Sequence, residues 1–409
     1  MQQTFDFVVV GGGSTGAVVA ARLSEDPSCR VALIEAGDRP PEVELMPIAC
    51  AAMQKNPATD WMYTVDPGSA GLGLLDRRVA VPRGKMLGGS SGLNYLAYVR
   101  GHPGDFDSWA AAGATGWNYE DVLPYFLKSE GLLPNPEAEI DAAAHNTRGP
   151  LGVSVRSPSL PAAREFVQAA EAAGIPRGDY NGRDRGGTRG LVSLMQATAK
   201  NGKRSSTYRA FLQGEPEHRE NLTILTRAHA VRIITERSNG ALEAKGVQYR
   251  TADGQVRSAY AAKEVILCTG AIGSPHLLML SGIGPKKQLE SMGVACTVDL
   301  REVGQHLKDH IQVPLFFHSC DYGVPVSEVG LSMGPAALRH PLGPLPADPA
   351  DDAYLPPEPK ALKEEAERRV SEWATAWPPH RFMTPRLGFR LDWVISTAMM
   401  HRSRFFSAV

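Results

Sequence analysis

The first 35 residues contain the pattern that most limits the fold of this chain. Phe5–Val10 is a short apolar segment rich in β-branched residues, which predicts a buried parallel strand. A glycine-rich turn follows it, and then come a helical pattern over Ala17–Leu23 and a second apolar strand over Arg30–Ile34. Because two parallel strands joined by a helix form a βαβ unit, the sequence predicts an α/β fold with a parallel sheet.

The turn of this unit has the glycine spacing G-x-G-x-x-G. Gly11 permits the tight turn, Gly13 lets a pyrophosphate approach the backbone, and Gly16 lets the helix pack closely on the strand. The helix N-terminus offers N–H groups to phosphates, and Glu35 at the end of the second strand can bind a ribose diol. The unit therefore predicts a dinucleotide site. A turn that binds nothing has the same local pattern, and NAD and FAD share the half that this fingerprint recognises.

A second glycine-rich segment occupies Gly84–Gly101. Its small residues from Gly88 to Gly92 allow the backbone to approach a flat ligand closely, and Asn94 can both donate and accept a hydrogen bond. The same pattern fits a glycine-rich loop before an apolar helix. This segment taken alone leaves both interpretations open.

A third glycine-rich segment, Gly270–Pro285, follows the short apolar strand Glu264–Gly270. Ser274 is a suitable N-cap and Pro275 suits the first helical position, so the sequence predicts a short helix over His276–Leu280. The strand is predicted to return to the nucleotide-binding sheet, which brings this loop near the same ligand.

Other segments carry simpler predictions. Asp60–Tyr63 is predicted to be a short strand, Pro161–Ala173 an amphipathic helix, and residues 131–150 a loop. The basic residues of Lys200–Phe211 are expected to form a solvated face, and Ser205 is expected to cap a helix there.

Together these segments resemble the glucose–methanol–choline (GMC) family of flavin oxidoreductases. Gly84–Gly101 resembles its first signature, Gly270–Pro285 its second, and Val303–His310 a further segment near the flavin. The resemblance implies an α/β protein with a Rossmann-like FAD-binding domain on a parallel sheet and an incomplete substrate domain on an antiparallel sheet. It places the FAD-binding domain at residues 1–152 and 220–315, the substrate domain at 153–219 and 316–375, and an atypical tail at 376–409.

The resemblance also implies cofactor-binding residues. They are Gly11, Gly13, Ser14, Thr15 and Gly16 for the pyrophosphate, Glu35 and Ala36 for the adenosine ribose, Met86, Gly89, Ser90, Asn94, Tyr95, Leu96 and Ala97 along the flavin side, and Val231, whose backbone meets the adenine. Some members attach FAD to a histidine of the first signature. Gly92 and Leu93 occupy the neighbouring positions here, so the resemblance implies noncovalent FAD.

The implied reaction is oxidation of a small alcohol, choline-like or a primary aliphatic or aromatic alcohol, to an aldehyde or ketone by hydride transfer to flavin. The electron acceptor is oxygen or another carrier. Family members carry their catalytic histidine in a C-terminal segment similar to H-P-x-G-T, and neither His380 nor His401 has such neighbours. We therefore predict no catalytic residue, and the alternative is an inactive, truncated flavin-binding remnant.

The tail has an unusual composition. Trp377–Val409 contains five arginines, a single acid at Asp392, and neither lysine nor glutamate. This favours a reading frame altered near Thr375, and a divergent member with a rebuilt C-terminus is the alternative.

Overall composition excludes several functions for this chain of 409 residues. The net charge of -1 gives no electrostatic reason to expect nucleic acid. The five cysteines include no C-x-x-C pair, so neither a disulfide framework nor a metal site is predicted, and the cytoplasm is the expected compartment. No apolar run is long enough to predict a transmembrane segment.

Overall fold

The computed structural model describes residues 3–68, 76–183, 190–238, 241–307 and 309. The predicted region 316–375, the tail 376–409 and the histidines at 310, 380 and 401 lie outside these residues. The strands are β1 (Gln3–Val10), β2 (Val31–Ile34), β3 (Tyr63–Val65), β4 (Val79–Val81), β5 (Glu130–Leu132), β6 (Leu151–Val155), β7 (Gln196–Ala197), β8 (Ala199–Lys200), β9 (Lys203–Arg204), β10 (Leu222–Leu225), β11 (His229–Ser238), β12 (Ala241–Arg250), β13 (Val256–Leu267), β14 (Ile283–Gly284) and β15 (Val298–Asp299). The helices are α1 (Ser14–Leu23), α2 (Cys50–Met53), α3 (Pro103–Ala111), α4 (Tyr119–Ser129), α5 (Pro161–Ala172), α6 (Gly270–Leu280) and α7 (Lys286–Ser291).

The centre of the fold is a six-stranded sheet with the order β10–β2–β1–β13–β12–β11. The strands β10, β2, β1 and β13 are parallel, and β12 and β11 continue the sheet as an antiparallel meander. Val9 and Leu33 pack on the face that carries α1, whereas Val10 and Ile34 pack on the other face with Leu277 of α6. A parallel core buried on both faces confirms the predicted α/β fold class.

Helix α6 begins earlier than predicted. It starts at Gly270, so Ser274 and Pro275 lie inside the helix and do not begin it. The Ser274 hydroxyl is 3.0 Å from that of Thr269, the residue before the helix, and so it has a partner within the first turns. Proline removes one helical hydrogen bond. The buried contact of Leu277 with the sheet holds the helix in place despite this loss.

The prediction of a strand over Asp60–Tyr63 is wrong, because β3 only begins at Tyr63. The carboxylate of Asp60 is buried and accepts hydrogen bonds from the backbone N–H groups of Lys55, Met62 and Arg83 at 2.8–3.0 Å. These bonds fold the chain around the aspartate and compete with an extended strand.

The region of residues 130–200 contains short strands and α5. The predicted loop over residues 131–150 is interrupted by β5, which pairs with β6 in parallel, and β7 adds to β6 as an antiparallel strand. Strands β8 and β9 form a separate antiparallel pair. The amphipathic helix predicted here is α5, which buries Val167 and Ala170. Among the described residues, no helix has the length and apolarity that a membrane crossing requires.

A buried charged network ties the end of the first signature to distant segments. Arg100 Nη2 donates to Glu130 Oε2 at 2.7 Å, and the ring nitrogens of His145 are each 2.8 Å from a carboxylate oxygen, one of Glu130 and one of Asp179. Burial disfavours the charged ring, but hydrogen bonds to Asp179 and Glu130 outweigh it and raise the pKa of His145 to about 9. The imidazolium therefore holds two buried carboxylates together.

Candidate dinucleotide-binding site

The glycine turn between β1 and α1 is fixed by close backbone contacts. Gly11 has a φ of +95°, and a Cβ there would lie 2.5 Å from the carbonyl oxygen of Cys268. A Cβ on Gly16 would lie 1.8 Å from the carbonyl oxygen of Gly11. A Cβ on Gly13 would meet nothing closer than Gly89 Cα at 3.8 Å. Packing therefore requires Gly11 and Gly16, whereas a Cβ on Gly13 would make only an ordinary van der Waals contact.

The N-terminus of α1 is suited to an anion. Gly13 is the N-cap and offers no side-chain cap, and the first turn contains no acidic residue. The first helical hydrogen bond runs from Ala17 N–H to the Gly13 carbonyl. In the part of the chain that the structure describes, the N–H groups of Ser14, Thr15 and Gly16 have no acceptor. These donors and the helix dipole favour a phosphate group.

The second glycine cluster packs directly on the first. Gly88 N–H donates to the Gly12 carbonyl at 2.8 Å, and the N–H of Ser91 donates to Ser14 Oγ at 3.2 Å. A Cβ on Gly89 would lie 2.7 Å from Gly13 Cα. Two segments separated by more than 70 residues thus form one surface, because glycines at the contact let the backbones approach and the Ser14 hydroxyl bonds across it. Gly13, Ser14, Gly89 and Ser91 meet there, and the hydroxyl of the neighbouring Ser90 accepts a hydrogen bond from Gly84 N–H at 3.1 Å.

Glu35 connects the two sides of the βαβ unit. Its Oε2 accepts a hydrogen bond from Gly12 N–H and its Oε1 accepts one from Gly37 N–H, each at 2.7 Å. Burial raises the pKa of Glu35 to about 7, against these hydrogen bonds and the charge of Lys85, which lower it. Ala36 lies beside it and is half-buried. Glu35 therefore shapes the glycine turn, whether or not it also binds a ribose.

We expect Glu35→Gln to lower the free energy of unfolding by about 1–3 kcal/mol. An amide has one acceptor oxygen and a donor NH₂ group, so either Gly12 or Gly37 would point its N–H at another donor. Urea unfolding at about pH 5.5, below the pKa of about 7, measures the loss without the cost of burying a charged carboxylate. Glu25→Gln, at the exposed end of the same unit, is the control. Equal stability of the two variants would contradict the assigned role.

The residues predicted to lie along the flavin divide into exposed and buried sets. Asn94, Tyr95 and Ala97 are exposed, and the Tyr95 hydroxyl is 3.2 Å from the Gln54 side-chain oxygen. Met86 is 1% exposed and packs with Ala49, Met53 and Leu93. In this conformation Met86 therefore supports the surface from beneath and presents no contact area to a ligand.

Leu96 and Val231 have unusual backbones. Leu96 has a φ of +69°, and its carbonyl accepts a hydrogen bond from Thr198 N–H at 2.8 Å. Val231 lies at a bulge, because the register of β11 against β12 shifts between Ala230 and Arg232. A bulge releases backbone groups from the ladder, so the Val231 backbone is available to a ligand edge.

Sequence reasoning missed Lys85 and Trp61. The Lys85 ammonium is 5.4 Å from the centre of the Trp61 ring, which lies 5.3 Å from the His229 ring. The charge of Lys85 also acts on Glu35. Both residues lie in segments that the sequence singles out, but neither a lysine among glycines nor a tryptophan in a predicted strand signals this contact by itself.

The prediction of a solvated face over Lys200–Phe211 is wrong for Arg204, which is 2% exposed. Lys200 and Lys203 are exposed, as predicted. Ser205 does not begin a helix, because its hydroxyl accepts a hydrogen bond from Gly152 N–H at 3.0 Å. The acceptors of Arg204 belong to segments more than 100 residues away, so local sequence gave no indication of its burial.

The parallel sheet, the paired glycine turns and the bare helix N-terminus form an arrangement typical of dinucleotide-binding α/β proteins. Residues 5–312 match the family model described as GMC oxidoreductase, and the chain belongs to the GMC oxidoreductase family. The resemblance inferred from the sequence is therefore confirmed.

Individual relatives agree with this assignment. An oxygen-dependent choline dehydrogenase of Vibrio vulnificus is 39% identical over 322 residues, which cover 78% of this chain and 54% of that protein. Glucose dehydrogenase (FAD, quinone) of Drosophila melanogaster is 39% identical over 75% of this chain and 48% of its own length. The crystal structure of pyridoxine 4-oxidase from Mesorbium loti aligns with a TM-score of 0.65 at 34% identity, over 73% of this chain and 56% of that one. The chain spans about half the length of the curated relatives it matches.

Proposed function

We propose that this chain binds FAD noncovalently and serves an oxidoreductase that acts on the CH–OH group of a small alcohol. The observation that carries the proposal is the contact between the two glycine turns, where a Cβ on Gly89 would meet Gly13 Cα at 2.7 Å. Their junction lies beside the uncapped N-terminus of α1, which supplies donors for a pyrophosphate. Choline-like and primary aliphatic or aromatic alcohols are the proposed substrates, and oxygen or another carrier is the proposed acceptor.

The residues present fit this cofactor. A Cβ on Gly13 would make an ordinary contact with Gly89 Cα at 3.8 Å, and the donors beside it are backbone N–H groups that need an anion. The proposed contacts are Gly11, Gly13, Ser14, Thr15 and Gly16 at the pyrophosphate, Glu35 and Ala36 at the ribose, Val231 at the adenine, and Gly89, Ser90, Asn94, Tyr95, Leu96 and Ala97 toward the flavin. Met86 supports this surface from below.

The bound flavin supplies a hydride acceptor for alcohol oxidation. The chain's own contribution is positioning: the α1 N-terminus would hold the pyrophosphate, and the segment from Asn94 to Ala97 would hold the flavin ring. His145 is not available as a base, because it is protonated at neutral pH and both its ring nitrogens contact carboxylates.

Noncovalent attachment has its own test. Leu93 and Gly92 stand near the position where some members carry the linking histidine, and neither has a nucleophilic atom. We expect acid precipitation to release all flavin into the supernatant and to leave a colourless pellet. A yellow pellet would show a covalent bond.

Reconstitution with excess FAD followed by gel filtration tests the whole proposal. We expect the purified chain to keep the absorbance bands of oxidised flavin and to unfold at a higher temperature than the FAD-free chain. Stabilisation by NAD in place of FAD would reject the proposal.

Anaerobic addition of choline, an aliphatic and an aromatic primary alcohol then tests turnover. Bleaching of the flavin bands is expected for a working alcohol oxidoreductase. Stable bands with every alcohol, in a chain that binds FAD, would favour the alternative of an inactive flavin-binding remnant.

A further inference from the structure

Arg204 is buried without a carboxylate partner. Its side chain reaches from β9 into the first signature, where Nη1 donates to Asn94 Oδ1 at 2.7 Å and to the Ser91 carbonyl at 3.1 Å. Nη2 donates to the Pro47 carbonyl at 3.0 Å. Among the described residues, no carboxylate forms an ion pair with Arg204, and the nearby Glu44 is bonded to Arg209 instead. Its oxygen acceptors are therefore neutral, and the Cys50 thiol adds a further contact.

These contacts fix which end of the Asn94 amide faces outward. The Asn94 side-chain atom that accepts the hydrogen bond from Arg204 also accepts one from Leu96 N–H, at 3.2 Å. A guanidinium and a backbone N–H can only donate, so this atom must be the amide oxygen, and the amide cannot flip. The Asn94 NH₂ group has no acceptor among the described residues, and Asn94 is an exposed residue.

We propose that Arg204 is a positioning residue that holds the Asn94 NH₂ group as a hydrogen-bond donor toward an acceptor atom of the flavin ring. This inference rests on the proposed function, because it needs FAD on the surface formed by Asn94 to Ala97. A donor at a flavin acceptor stabilises the reduced ring, which carries more negative charge, and therefore raises its reduction potential.

Three variants distinguish the effect of the Asn94 amide orientation from an effect on the stability of the fold. Asn94→Asp keeps an oxygen for Arg204 and removes the outward donor. Arg204→Met frees the amide to rotate and also costs stability. Arg209→Met is the matched control, because Arg209 is a buried arginine bonded to Glu44 that makes no contact with Asn94.

The experiment is anaerobic reduction of the FAD-loaded chain beside a reference dye, which needs no alcohol. Asn94→Asp is expected to weaken binding of reduced relative to oxidised flavin about tenfold, which lowers the two-electron potential by about 30 mV. Arg204→Met should lower it in the same direction, because the amide is then free to turn its donor away from the ring. Arg209→Met should leave the potential unchanged.

Two failures are distinguishable. A wild-type chain that stays colourless with excess FAD overturns the proposed function and this inference with it. The role of Arg204 alone is overturned in two cases, both with a wild-type chain that binds FAD. In the first, Asn94→Asp and Arg204→Met have the wild-type reduction potential. In the second, Arg209→Met shifts the potential as much as they do.

Discussion

Replacing Gly16 with alanine is expected to destabilise the protein by about 3 kcal/mol or more. The new methyl carbon would lie 1.8 Å from the carbonyl oxygen of Gly11, which is a backbone atom at the end of the central strand. Relief of this overlap requires α1 to move away from β1, and the apolar contacts of Ala17 and Ala20 would be lost with it. The midpoint of urea unfolding, measured without cofactor, reports the change.

Gly13→Ala is the matched control, three residues earlier in the same turn. Its methyl carbon would lie 3.8 Å from Gly89 Cα, an ordinary contact, and Gly13 has a φ of -72° that alanine readily adopts. We expect unfolding within about 0.5 kcal/mol of wild type and FAD affinity reduced about tenfold or more, because the methyl group enters the cradle. Equal destabilisation of both variants, or unchanged FAD affinity of Gly13→Ala, would contradict the assigned roles.

Loss of the His145 side chain is the second large effect. His145→Ala is expected to destabilise the protein by about 3–5 kcal/mol near pH 6, because Asp179 would remain buried without this cation and Glu130 would be left with Arg100. His306→Ala is the control: its contact with Glu302 is exposed, and such surface pairs contribute about 0–1 kcal/mol. Chemical unfolding of both variants beside wild type gives the comparison.

The contribution of His145 depends on pH in a defined direction. Its pKa rises from 6.5 to about 9 on folding, so the folded state holds a proton that the unfolded chain releases. The stabilisation is therefore complete below pH 6.5 and is lost as the pH rises through about 9. The difference between wild type and His145→Ala should shrink between pH 6 and pH 10. A difference below about 1 kcal/mol near pH 6, or one independent of pH, contradicts an imidazolium bridge.

Tertiary packing gives several residues a role or position that differs from the one predicted from the sequence. Glu35 stands at the predicted strand end, yet its carboxylate accepts the N–H groups of Gly12 and Gly37. Met86 lies in the first signature, yet its side chain is in the core. Pro275 was expected to begin a helix that in fact starts at Gly270. In each case the deciding contact comes from another segment, which local patterns do not specify.

The sequence by itself determined the βαβ unit, the parallel core and the family, because strand length, helical period and glycine spacing are local properties of the chain. Only the tertiary structure decided that Gly89 meets Gly13 and that Arg204 is buried against Asn94. The physical reason lies in the opposite surface. Two backbones can approach closely only where that surface has no side chain in the way, and a buried charge is stable only where that surface provides hydrogen-bond acceptors. That surface comes from residues 70 or more positions away, and folding alone brings it into place.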